Sequence, residues 1–183
     1  LTIKSLETVL ERIHRSGLGS PKEIFCVLAS PWHMSQTRII KLEKNDPFIF
    51  TAKLALDLIK KEIDIFEEEY SAKSQDTDHS FRPIEFKNIR TMINGYETAK
   101  PLDQKGRELE MAIFISISPE QVLERIEKTI QARFHGREIK FSSSVLASFA
   151  VVRDLYAHDE NFLLINIGGE ITDIFMVKKN ILR

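Results

Sequence analysis

Residues 161–182 read NFLLINIGGEITDIFMVKKNIL, two apolar runs that meet at Gly168 and Gly169. Strand-forming segments on both sides of paired glycines predict a β-hairpin, because glycine accepts the positive φ angles of a tight two-residue turn. Such a turn also offers backbone N–H groups with no side chain in the way, an arrangement able to cradle a phosphate. Spacing alone does not separate that use from a plain structural turn.

Upstream of the hairpin, Ser143 or Ser144 caps a helix predicted to reach Tyr156, after a short strand over residues 137–141. Ser118, Pro119 and Gln121 predict another helix start, with Ser118 at the N-cap and Pro119 at the first position. Its inward residues are Val122, Ile126 and Ile130, and it runs to about Phe134. Leu109, Met111, Ile113, Ile115 and Ile117 form the clearest period-two run of the chain, and a second strand covers residues 84–93. Residues 71–80 are polar and unpatterned, a loop or a disordered spacer. The longest helical signal spans residues 51–70, with Leu56, Ile59, Ile63, Phe66 and Tyr70 as its stripe. Glu67, Glu68 and Glu69 at its end read as a solvated surface without function. Before it, Asn45, Asp46 and Pro47 predict a turn closing an extended stretch over 34–42, and residues 22–29 read as a buried strand. Leu6, Val9, Leu10 and Ile13 mark a first helix that stops at Gly17. The middle of the chain thus reads strand–helix–strand–strand, an α+β unit.

Composition narrows the classes. The 183 residues are 43% hydrophobic, enough for a real core, and 26 basic against 27 acidic residues leave a net charge of −1. That balance gives no electrostatic reason for nucleic-acid binding. No apolar run approaches the roughly 18 residues of a membrane span, and no signal-peptide pattern opens the chain. The single cysteine, Cys26, excludes an internal disulfide and reads as a buried, inert thiol. A cytosolic protein, or a cytosolic piece of one, is expected, and Leu1 in place of Met suggests a fragment.

Leu164, Ile165, Ile167, Gly168, Gly169, Thr172, Asp173 and Ile174 match the second phosphate motif of actin-like ATPases, which the hairpin resembles. Residues 144–152, SVLASFAVV, resemble the helix that precedes this motif in the bacterial cell-division family FtsA. Residues 100–110, KPLDQKGRELE, resemble another FtsA stretch and keep Pro101, Gly106, Leu109 and Glu110. The resemblance implies an α+β / α/β chain, part of an actin-like (ribonuclease H-like) fold. Residues 1–32 and 119–160 would belong to the first lobe, 33–118 to a strand–helix–strand–strand (SHS2-like) insertion, and 161–183 would begin the second lobe.

It also implies a nucleotide-facing set: Asn166, Gly168, Gly169, Glu170, Thr172 and Asp173. Departures weaken that set. Asn166 stands where the family has Asp and brings no charge to a Mg²⁺ shell, and Glu170 with Ile171 replaces a Gly-Thr pair. Glu170 moreover sets a negative charge near the expected γ-phosphate. ATP and Mg²⁺ are therefore implied only for a full-length parent, with no cofactor and no hydrolysis expected from this piece. The implied role is a polymerising scaffold at the inner face of the cell membrane, reaching the membrane only through a segment outside this chain. Its partners would be FtsZ-like and other division proteins and further copies of itself. A PilM-like type IV pilus assembly protein is the alternative. A chaperone- or sugar-kinase-like ATPase is a third reading, opposed by Asn166 and the small insertion.

Elsewhere the chemistry is sparse. The histidines, at 14, 33, 79, 135 and 158, share no metal-ligand spacing and read as surface or capping residues. His158, Asp159 and Glu160 fit a turn as well as a metal site. Serines 142–144 form no nucleophile elbow. Trp32 is either a packing anchor at the junction of lobe and insertion or an exposed contact.

Overall fold

The computed structural model describes residues 2–17, 19–73, 80–169 and 171–182. In chain order the elements are α1 (Thr2–Arg15), β1 (Ile24–Leu28), β2 (Met34–Ile49), α2 (Ala52–Lys73), β3 (Phe81–Ile93), β4 (Tyr96–Glu97) and β5 (Lys105–Pro119). They continue with α3 (Glu120–Gln131), β6 (Ile139–Ser143), α4 (Ser144–Leu155), β7 (Phe162–Ile167), β8 (Thr172–Lys178) and β9 (Ile181–Leu182). Three sheets result: a parallel pair β1-β6, an antiparallel sheet ordered β2-β5-β3-β4, and an antiparallel meander β7-β8-β9.

Strand β5 is the centre of the molecule, because both of its faces are covered. Leu109, Met111, Ile113, Ile115 and Ile117 pack with Ile40 of β2, Ile93 of β3, and Ile59 and Phe66 of α2. That face follows the expected alternation. The opposite face carries Ala112, Phe114, Ser116 and Ser118, all buried as well, and Phe114 meets Val145 and Phe149 of α4 together with Val177 and Leu182. A strand covered on both sides usually reads as an unbroken apolar run. Here serines on the second face disguise it. A third cluster, Leu10, Ile130 and Phe134, seats α1 against α3 over Ile24 and Ile139.

Several sequence expectations need correction. The chain does not turn at residues 45–47: β2 runs on to Ile49 through a bulge between Glu43 and Phe48. Pro47 is tolerated there because β2 is an edge strand and needs no ladder bond on its outer side. Leu56 is 59% exposed, since the inward line of α2 is centred on residues 55, 59, 62 and 66, with Leu54, Ala55 and Leu58 packing beside it. Glu69 is not merely solvated. Both its oxygens accept from Arg38 of β2, at 2.8 and 3.0 Å, while Arg38 Nε donates to Glu62 at 2.7 Å and the guanidinium lies over Phe66. Ser118 does not cap α3: Pro119 is the N-cap, and the Ser118 hydroxyl donates to the Trp32 carbonyl at 2.7 Å. Gly17, with φ +74°, ends α1 as expected, and Ser143 is the N-cap of α4, accepting from the Leu146 N–H. The spacer assigned to 71–80 lies largely outside the described residues; α2 itself extends to Lys73.

Phe66 is fully buried, whereas Leu56 on the same helix faces solvent. Phe66→Ala is expected to cost about 3–5 kcal/mol in urea denaturation, and Leu56→Ala within about 0.5 kcal/mol.

Candidate functional site

The hairpin forms, but not with the expected turn. β7 and β8 pair from Phe162–Val177 to Ile167–Thr172, so residues 168–171 form a four-residue loop. Neither Gly168 nor Gly169 adopts a positive φ. Gly168 is needed for space instead: a Cβ there would lie 2.8 Å from the Ile171 carbonyl oxygen. The Gly168 N–H donates to that same oxygen at 2.9 Å, closing the loop, and is therefore engaged within the protein. Gly169 has open space around its Cβ position. Asn166 and Asp173 face each other across the strands, and Asn166 Nδ2 donates to Asp173 Oδ2 at 3.3 Å. Thr172 is exposed at the start of β8. Glu170, the sixth residue of the expected set, lies outside the described residues, as does His79.

The hairpin has two unlike faces. Phe162, Leu164 and Phe175 pack inward with Phe149 and Val177. Leu163, Ile165, Ile167, Ile174 and Met176 point outward, 51–80% exposed.

A polar cluster that sequence patterning missed lies where the sheets meet. Glu85 of β3 accepts from Ser116 Oγ at 2.9 Å, Ser142 Oγ at 2.5 Å and the Ser143 N–H at 2.9 Å, and also from Ser143 Oγ. Ser116 Oγ lies 2.9 Å from Ser35 Oγ, which lies 2.9 Å from His33 Nδ1. His33 is thus not a surface residue: it is 6% exposed, and its Nε2 has no hydrogen-bond partner among the described residues. Burial pushes its imidazole below the ordinary histidine value, and the carboxylates of Glu85 and Asp173 pull it part of the way back. The only advance sign was the run of hydroxyl residues around two strand ends, at 116–118 and 142–144.

The third feature is a groove of about 420 Å³ between α1, β1 and α3. Leu6, Cys26, Leu28, Trp32, Val122 and Ile126 line it, and Arg125 stands exposed at its rim. Trp32 is 38% exposed, so it presents a surface while lining the groove. Cys26 is also half-buried, and burial raises its thiol pKa, which keeps it protonated and poorly nucleophilic. Among the described residues no three His, Cys, Asp or Glu side chains converge on a metal position, and His158–Glu160 fall in a turn closed by the Asp159 N–H to the Tyr156 carbonyl.

Two expectations follow. Gly168→Ala should lower stability by roughly 1–3 kcal/mol through the clash with Ile171, while Gly169→Ala stays near wild type in thermal melts. The His33 value is depressed by folding, so its contribution is complete above about pH 6.5 and is lost as pH falls below that. Urea denaturation at about pH 7.5 and about pH 5 should show this slope, and His33→Gln should flatten it.

No protein-family model and no curated protein matches the sequence. Among solved structures, the chain is similar to one described as a PilM-PilN type IV pilus biogenesis complex, with a TM-score of 0.51 and 12% sequence identity. The match covers 97% of this chain and 46% of that one, so the chain spans about half of its structural neighbour. At that identity the likeness bears on the fold alone: the chain shares a mixed α/β architecture with that structure.

Proposed function

We propose that the chain is the partner-binding portion of an actin-like assembly scaffold that works by protein–protein contact rather than by catalysis. What supports this most directly is the fold likeness along 97% of the chain to a protein solved in a pilus biogenesis complex. On this reading the protein is PilM-like and serves type IV pilus assembly at the inner face of the membrane. The groove between α1, β1 and α3 is the docking site. Its apolar walls suit an aliphatic or aromatic anchor of a partner peptide, and Arg125 at the rim suits a neighbouring carboxylate. Residues 33–118, which contain β2, α2, β3 and most of β5, act as an SHS2-type insertion.

An FtsA-like division scaffold is the second reading. It is favoured by Pro101, Gly106, Leu109 and Glu110 and by the helix at 144–155, and would bring FtsZ-like partners and self-association. ATP with Mg²⁺, held at Asn166, Gly168, Gly169, Glu170, Thr172 and Asp173, belongs to either parent as a bound ligand rather than a turnover substrate.

Binding assays of the intact protein against pilus-assembly and division proteins test this. The proposal expects affinity for a pilus component, weakened about tenfold or more by Arg125→Glu, a surface change that leaves the melting curve intact. Selective binding to an FtsZ-like protein would favour the division reading, and indifference of all binding to Arg125→Glu would remove the groove.

A further inference from the structure

The hydroxyl chain at the sheet junction has a direction. A carboxylate only accepts hydrogen bonds, so Ser116 spends its single hydroxyl hydrogen on Glu85 Oε1. Ser116 can then only accept from Ser35, which spends its own hydrogen there. Ser35 has none left for the ring, so the third bond, 2.9 Å long, must run from His33 Nδ1–H to Ser35 Oγ. In neutral imidazole this leaves Nε2 as a bare acceptor. That acceptor is buried, in a residue only 6% exposed, and no donor among the described residues reaches it.

We infer that His33 is locked as its Nδ1–H tautomer by the Ser35–Ser116–Glu85 relay, and that its Nε2 accepts from a buried water molecule. Leaving a buried acceptor orphaned is costly, and an ordered water that donates to it removes that cost. A second sign of hydration is Ser144 Oγ, also buried without a protein partner, next to the serine that binds Glu85. The site takes a small O–H donor just before the start of β2.

Long-range ¹H–¹⁵N spectra of the histidine-labelled, ligand-free protein test the proposal. His33 is expected as a single Nδ1–H tautomer with Nε2 shifted as a hydrogen-bonded acceptor. Ser35→Ala and Ser116→Ala should each redistribute the proton toward Nε2. A protonated Nε2 in the wild type, an Nε2 resonance typical of an unbonded nitrogen, or an unchanged tautomer in both serine variants would overturn it. The wild-type spectrum decides by itself if a variant does not fold.

Discussion

The arrangement of this chain turns on one carboxylate. Glu85 projects from β3 to the point where the parallel pair β1-β6 ends and α4 begins, and it receives hydrogen bonds from Ser116, Ser142 and both the N–H and hydroxyl of Ser143. A partly buried charge persists only where donors replace the water it loses. Satisfying Glu85 therefore fixes the end of β6, the N-cap of α4 and the serine face of β5 relative to one another. The hydroxyl of Ser143 in turn accepts from Leu146, so the first turn of α4 is anchored to the same charge.

The two faces of β5 explain how the remainder is shared out. Its aliphatic face belongs to α2, and Arg38 pins that helix at Glu62 and Glu69. The other face, with Phe114 and two serines, receives α4 and the β7-β8-β9 meander; the Thr37 hydroxyl donates to the Leu182 carbonyl, holding the meander to the edge strand. Apolar surface is left over. Five large residues of the hairpin, and Phe25 and Val27 of β1, face outward in rows rather than singly, which is the pattern of surfaces that receive another element. The covered face and the open face of the same hairpin thus have nearly the same hydrophobicity.

How much of this was legible depended on the kind of force. Helices with an apolar stripe and strands with one buried face were readable, because periodicity records burial directly. The order of elements follows from that, and with it the strand–helix–strand–strand middle. The continuation of β2 through Pro47 was not readable, since an edge position is a property of the sheet and not of the residue. The Glu85 cluster was opaque for a related reason: Ser35, Glu85, Ser116 and Ser142 have no common spacing, and only pairing registers such as Ser35 opposite Ser116 and Ser116 opposite Glu85 bring them together. The Gly-Gly hairpin was legible as a hairpin, but its glycine requirement came from a carbonyl 2.8 Å away rather than from φ.

That last difference bears on nucleotide binding. The loop closes on itself through Gly168, which takes one of the expected phosphate donors out of use. By sequence, residues 166–173 carry two acids, Glu170 and Asp173, and no base. The hairpin's own cations, Lys178 and Lys179, lie at its far end, about 20 Å along a strand from Thr172 at about 3.3 Å per residue. Over such a distance in salt, a surface ammonium is screened almost completely. A phosphate at this tip would therefore meet like charges, with attraction left to the remaining loop N–H groups and to whatever cation accompanies the nucleotide. The sequence and loop closure of the hairpin thus oppose binding of a free, uncompensated phosphate at its tip.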